Sequence, residues 1–352
     1  MNKQAYTGCL LGTAVGDALG LPYEGISPQR AARLFPDRTR HHFFFGRGMV
    51  SDDTEHVCFV VQALIKSQGN ADDFQRYLAR YLRWWLVGIP AGVGLATLKS
   101  ILRLWIGFPP SRSGVFSAGN GPAIRSPILG IVCGSSKETL KQYVQRATEI
   151  THSDPKTLQG AMAIALAAYQ SATASSVSGP DFQELLAEWL CDDCTDEFLD
   201  LVRKAVRSAE EDEPTATFAA SIGSSNGISG YVYHTVPCVI QTWLRHTDDF
   251  AGGVREIISA GGDTDTAGAI LGGILGARVG KRGIPEAWLN GIIEWPRSIQ
   301  WIERLGSALA TALNGHEQCS CPPYFIPGII PRNALFLIVV LAHGFRRLAP
   351  PY

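Results

Sequence analysis

The sequence has 352 residues, 46% of them apolar, enough for a sizeable core in roughly one to three domains. Lys+Arg 31 against Asp+Glu 32 leaves a formal charge of -1, which excludes the global basic field of a dedicated nucleic-acid binder. With 18% charged residues, 37 Gly, 20 Pro and a mean hydropathy of +0.06, a soluble, turn-rich globular chain is expected rather than a membrane or disordered one.

In chain order, apolar periodicity predicts helices over 5–20, 55–67, 72–87, 95–106, 137–149, 156–174, 181–190, 196–208, 231–246, 250–259, 264–280, 293–313 and 334–348. The first begins like a secretory leader, but Asp17 and Glu24 interrupt it, and a cytoplasmic location is expected. Asp154-Pro155 reads as N-cap and first residue of the Ala-rich helix that follows. Gly/Pro/Ser-rich loops fall near 107–127, 209–230 and 318–333, none long enough for an inter-domain linker. The apolar run 334–342 is followed at once by His343 and Gly344 and reads as too short to cross a bilayer. With no strand pattern, the fold class is all-α.

Eight cysteines are too sparse for a disulfide scaffold. Cys191-x-x-Cys194 and Cys319-x-Cys321 could in principle form a four-thiolate zinc site, but their wide separation and missing knuckle glycines favour ordinary thiols.

Glycine recurs every fourth residue at Gly8, Gly12, Gly16 and Gly20, and again at Gly268, Gly272, Gly276 and Gly280. Each set lies along one helix face. A helical glycine costs up to about 1 kcal/mol relative to alanine, so four in register imply close backbone approach in a tight crossing. Antiparallel packing of the two stripes would bring together the acids at their ends.

Those acids belong to two knots. One is Ser51-Asp52-Asp53-Thr54-Glu55; the other is Gly261-Gly262-Asp263-Thr264-Asp265-Thr266; each precedes an apolar helical run. Taken singly, either serves as a helix N-cap, where hydroxyls and carboxylates satisfy free N–H groups. Capping needs one acid, however, and each knot supplies two or more. A D-x-D pair with neighbouring hydroxyls offers hard oxygens suited to Mg²⁺, Mn²⁺ or Ca²⁺. An EF-hand is excluded, because its position 12 would be Ile274 rather than Glu. The alternative is a metal pair built from both knots, able to position a water and polarise a leaving group. Four carboxylates converging without a cation would raise one another's pKa. Glu24, in Pro22-Tyr23-Glu24-Gly25, is a candidate extra carboxylate or simply a surface residue.

Other residues suit a ligand. Ser117-Ala118-Gly119-Asn120-Gly121 and Gly92-Val93-Gly94 could present backbone N–H groups to a diphosphate. His152 stands just ahead of the Asp154-Pro155 helix start, as a ligand or a structural residue. His42-Phe43-Phe44-Phe45 reads as core or cleft wall. Neither a nucleophile elbow nor a P-loop is present.

The segments Gly8–Gly25 (GCLLGTAVGDALGLPYEG), Ser51–Glu55 (SDDTE), Gly119–Arg125 (GNGPAIR), Thr151-His152-Ser153 and Gly261–Gly268 (GGDTDTAG) together resemble the ADP-ribosylglycohydrolases. The resemblance implies one compact domain over 1–352, an orthogonal helical bundle with 318–352 as a tail packed on or beside it, and a binuclear Mg²⁺ or Mn²⁺ centre at the base of an ADP-ribose cleft. Ser51, Asp52, Asp53, Asp263, Asp265 and Thr266 would be the metal ligands, Glu24 a catalytic or gating carboxylate beside the metals, and Asp53 and Asp263 catalytic as well. Ser51 stands where many members have Thr. Gly92, Gly94 and Leu95 match a loop approaching the ligand; Ser117, Asn120 and His152 match positions around the diphosphate and ribose, and Ile228 a residue near the adenine. The implied reaction is hydrolysis of the bond between C1″ of ADP-ribose and an acceptor, either a modified protein or an ADP-ribose-containing small molecule. Two divalent cations would bind the terminal ribose and a water. A monomer without membrane partners is expected. The rival readings are a catalytically silent, crystallin-like binder of ADP-ribose and a metal-dependent phosphohydrolase.

Overall fold

The computed structural model describes residues 3–190, 195–315 and 320–350. They form 18 α-helices and three 3₁₀ turns, with isolated β-bridges and no strand among the described residues. The fold is all-α, as expected. Cys191, Cys194 and Cys319 lie outside the described residues. Cys321 is half-buried, its thiol directed at the carbonyl of Gln62 at 3.9 Å.

The two glycine-bearing helices, Lys3–Gly20 and Thr264–Gly283, form the centre and are buried over most of their length. They run antiparallel, with Gly8 opposite Gly276, Gly12 opposite Gly272, Gly16 opposite Gly268 and Gly20 opposite Thr264. A methyl carbon on Gly8, Gly12 or Gly16 would overlap a carbonyl oxygen of the facing helix, and one on Gly268 would stand 2.6 Å from the Gly16 carbonyl. This contact is the tight crossing the spacing predicts, and only glycine permits it. Gly280 differs: its φ of +63° breaks the helix, and an added Cβ would meet nothing closer than 3.6 Å. Backbone conformation, not close approach, requires that glycine.

Other helices dock on this pair through further small residues. Gly130 of the Ser126–Cys133 helix abuts Ala165 of Pro155–Thr173, and Gly306 of Ile299–Leu313 abuts Thr7. One continuous apolar core runs from Ala5 to Ala310. Helix starts follow the expected chemistry: the Asp154 carboxylate accepts from Lys156 N at 2.9 Å, with Pro155 opening the helix. Five short helices, Pro28–Leu34, Gly121–Ile124, Ser126–Cys133, Thr215–Ser221 and Glu286–Gly291, lie outside the predicted segments. The helix expected over 293–313 begins only at Ile299, capped by Ser298, because Pro296 and the preceding turn interrupt it.

The tail helix, Ile329–Arg346, is longer than the 334–348 segment suggests at its start. Residues 326–346 are long and apolar enough, by length and composition, to cross a membrane, with a mean hydropathy of 1.6. The nine-residue run thus understates the apolar span, because the apolar residues continue on both sides of it. The helix packs on the body through buried polar groups and a small apolar cluster. Arg332 donates to both oxygens of Glu294 (2.8 and 2.7 Å) and to the Val50 carbonyl, whose own N–H donates to Glu294 at 3.2 Å. Asn333 donates to the Gly88 carbonyl at 2.8 Å. Phe336 and Val339 complete a small cluster with Leu21, Phe43 and Met49, and His343 stacks on Phe43 while bonding its carbonyl. Arg332→Ala, which strands the buried Glu294 carboxylate, is expected to destabilise the protein by about 3–5 kcal/mol, measurable by urea unfolding. A loss below about 1 kcal/mol would refute this account of the tail's attachment.

Candidate active site

Both acid knots start helices, and both are pinned to the central pair. The Asp17 carboxylate, buried within Lys3–Gly20, accepts hydrogen bonds from Ser51 N (3.0 and 2.9 Å), Thr54 N (3.2 Å) and Thr54 Oγ1 (2.5 Å). This fixes the first knot at the start of the Asp52–Ser67 helix, where the Ser51 hydroxyl accepts from Asp53 N at 3.2 Å as an N-cap. The second knot is tied to the end of the first helix by the Thr264 hydroxyl donating to the Gly20 carbonyl at 2.8 Å. Gly25 N donates to the Gly262 carbonyl at 2.8 Å, so the turn carrying Glu24 is stitched to the same place. Segments more than two hundred residues apart thereby converge.

Asp263 occupies the N-cap position of Thr264–Gly283 without capping it. Its carboxylate instead accepts from Asn120 Nδ2 at 2.7 Å, and Asn120 also donates to Thr235 at 3.0 Å. The backbone of Asp263 is held by Ile228, whose carbonyl accepts from Asp263 N at 2.7 Å and whose N–H donates to the Gly261 carbonyl at 2.9 Å. Gly227 and Gly262, both at positive φ, allow that approach, since a Cβ on either would strike the facing backbone.

A cavity of about 360 Å³, within the usual range for small-molecule sites, collects the predicted residues. Glu24, Asp52, Asp53, Asp263, Asp265 and Thr266 line it together with Gly92, Gly94, Leu95, Ser117, Asn120 and His152. Ser51 and Ile228 are not among the lining residues: Ser51 is occupied in capping, and Ile228 is buried and acts through its backbone. Glu55 also turns away, accepting from Trp85 Nε1 at 2.7 Å and pairing with buried Arg297. Gly92 adopts φ +82°, and a side chain on Gly92 or Gly94 would meet no atom within 4 Å, so this loop faces open space. His152 packs beneath the glycine loop, with its ring 3.0 Å from where a Gly119 Cβ would stand, and shares a hydrogen bond with Thr151, which Arg125 also contacts. Burial and then the Arg125 charge hold His152 and His56 down at about 3, so both imidazoles are neutral at physiological pH.

Two lining residues that sequence reasoning missed carry a readable signal. His56 lies one turn beyond Asp52 and Asp53 on the same helix, and Thr97 follows the Gly92–Leu95 loop. Asp17 carries no such signal; it is a lone acid in a glycine-rich helix.

The electrostatics of the acid end are those of crowded carboxylates. Burial, then the Asp17 charge, pushes Asp52 up to about 8. Burial, then Asp52, lifts Asp53 well above the usual range, and burial, then Glu24, does the same to Asp265. Burial pushes Asp17 itself up to about 7 despite its four hydrogen bonds. One oxygen of Asp53 and one of Asp265 are buried with no hydrogen-bond partner. Orphaned buried carboxylate oxygens are costly, and a hard cation is the partner that suits them. Among the described residues no three His, Cys, Asp or Glu side chains stand as a preformed metal cluster. The donor chemistry, all oxygen, fits a divalent cation of the magnesium or manganese kind.

The all-helical fold and an acid-lined cleft, with glycine loops opposite the acids, are those of a helical glycosidic-bond hydrolase. Residues 2–319 match the family model for ADP-ribosylglycohydrolase, and the chain belongs to that family. An uncharacterized protein of Archaeoglobus fulgidus is 28% identical over 87% of this chain and 96% of its own length. ADP-ribosylhydrolase ARH3 of Bos taurus is 27% identical (80% and 87%), and ADP-ribosyl-[dinitrogen reductase] glycohydrolase of Rhodospirillum rubrum 26% (80% and 88%). A solved structure of an ADP-ribosylglycohydrolase-related protein complex shares the fold at a TM-score of 0.65 and 23% identity, covering 88% of this chain and 98% of that one.

Proposed function

We propose that this enzyme hydrolyses the bond between C1″ of ADP-ribose and an acceptor, in a reaction dependent on two divalent cations, Mg²⁺ or Mn²⁺. The observation that carries the reading is the convergence of Asp52, Asp53, Asp263, Asp265 and Glu24 on one cavity, with two of their buried oxygens left without partners. Ser51, Asp52, Asp53, Asp263, Asp265 and Thr266 would hold the metals, with Ser51 needing to exchange its capping bond for that role. The metals, when bound, would supply Lewis-acid charge and order the terminal ribose and a water.

The chain's own residues account for the rest. Asn120 fixes the rotamer of Asp263, and Asp17 fixes the helix start that aims Asp52 and Asp53. Carboxylate charge around C1″ stabilises positive character as the glycosidic bond lengthens. Glu24, open to solvent at the rim, is placed to accept a proton from the attacking water or to meet the leaving group. The Ser117–Gly121 loop and neutral His152 receive the diphosphate through N–H and hydroxyl donors, and the cavity walls hold the ribose in place for attack.

Chelation with EDTA is expected to abolish release of free ADP-ribose, and Mg²⁺ or Mn²⁺ to restore it, across ADP-ribosylated arginine, serine and O-acetyl-ADP-ribose substrates. Undiminished turnover after exhaustive chelation would overturn the metal requirement. Inorganic phosphate as product would replace the reading with a phosphohydrolase, and tight binding of ADP-ribose without turnover of any substrate would replace it with a silent binder.

A further inference from the structure

The tail beyond residue 319 lies outside the family-matched segment, yet it is bolted to the cleft's supports. Arg332 binds the carbonyl of Val50, one residue before the first acid knot, and Asn333 binds the carbonyl of Gly88, ahead of the Gly92–Leu95 loop. At its far end Arg30 bonds the carbonyl of Arg347 and also approaches that of Ala349 at 3.4 Å. These anchors bring the Arg347 guanidinium to 3.9 Å from where a Cβ on Gly25 would stand, beside Glu24. Its charge acts on the carboxylates of Glu24 and Asp265, and on the neighbouring guanidinium of Arg30.

The sign of this charge is the point. The cavity's lining residues include five carboxylates and neither Lys nor Arg. Two bound divalent cations would offset most of that negative charge, but the lining side chains offer no cation of their own to an anionic acceptor. On the hydrolytic reading above, in which Glu24 stands beside the scissile bond, a group attached at C1″ would leave past Gly25 and meet the tail. An arginine there supplies a positive charge at the rim, and its planar fork matches a carboxylate. Because the tail is held by a buried ion pair, the guanidinium is presented from a fixed element rather than a loose end.

We infer that Arg347, assisted by Arg30, is a specificity-determining residue that selects protein acceptors whose modified side chain is flanked by Asp or Glu. The inference rests on the hydrolytic reading above.

The test compares paired peptides bearing ADP-ribose on the same side chain, flanked in one by acidic and in the other by basic residues, with one pair linked through arginine and one through serine. The native enzyme is expected to show roughly five- to tenfold higher kcat/KM on the acidic member, mostly through KM, with the preference collapsing in about 0.5 M salt. Arg347→Glu should invert the ratio, and Arg347→Lys should retain most of it. Melting temperatures of both variants are followed in parallel, and the lysine variant preserves the test if the glutamate variant fails to fold. Equal kcat/KM on both peptides in the native enzyme, or an unchanged ratio in a folded Arg347→Glu, overturns the inference while leaving the hydrolytic reading intact. If the native enzyme releases ADP-ribose from none of these peptides or from O-acetyl-ADP-ribose, the hydrolytic reading itself fails and takes this inference with it.

Discussion

Asp263→Asn is expected to fold as the native chain does and to lose turnover by about a hundred- to a thousandfold. The fold should survive because the substitution is nearly isosteric and an amide oxygen can still accept the 2.7 Å hydrogen bond from Asn120. It should also survive because the N-cap role of Asp263 involves no side-chain bond to the helix. Activity should not survive, because the removed charge belongs to the oxygen cluster that would hold a cation against the ribose. The diagnostic pair of measurements is ADP-ribose release and thermal unfolding on the same preparation. Full activity in the variant would refute the assignment of Asp263 to the metal set; loss of activity with a melting temperature down by many degrees would show that the residue is structural.

The second large effect lies in the glycine crossing. Gly16→Ala would raise intrinsic helix propensity by up to about 1 kcal/mol, yet its methyl would fall on the Gly268 carbonyl, where only backbone movement relieves it. Overpacking against side chains costs about 1–3 kcal/mol; against a facing backbone, at least about 3 kcal/mol is expected. The opposite sign is expected in the tail helix, where a Cβ on Gly344 meets no atom within 4 Å and Gly344→Ala should stabilise by about 0.5–1 kcal/mol. Urea unfolding of both variants checks the pair. A Gly16→Ala variant as stable as the native protein would mean that the two helices are not held at backbone contact.

These two positions also show what the sequence makes legible. The i, i+4 recurrence of glycine states a close approach, and the two acid knots state oxygen donors at helix starts; both patterns are local, and both converge as their spacing suggests. The long helices are legible for the same reason, since an apolar face repeats over several turns. Pro28–Leu34 and Thr215–Ser221 are not, because fewer than two turns beside proline give periodicity too little length to register. Asp17 escapes because its significance is wholly tertiary: it lies 34 residues from Ser51, and burial, not pattern, makes it a bracket for the first knot. Ile228 reads as a ligand neighbour through resemblance, whereas its buried backbone holds Asp263 in place. The tail reads as an appendage, because nothing in a row of apolar residues announces that Arg332 and Asn333 will face inward.

Consider finally what the glycine pairing imposes on distance. Because Gly8, Gly12 and Gly16 meet their partners at intervals of four residues, the helices can mesh only in discrete steps, and one step displaces them by about 6 Å. Glu24 follows one helix and Asp263 begins the other, so any such slip would carry the carboxylates past one another by more than a hydrogen-bond length. The catalytic span is therefore gauged by the pitch of two helices, like the teeth of a rack, and loops around the cleft can vary in sequence without resetting it.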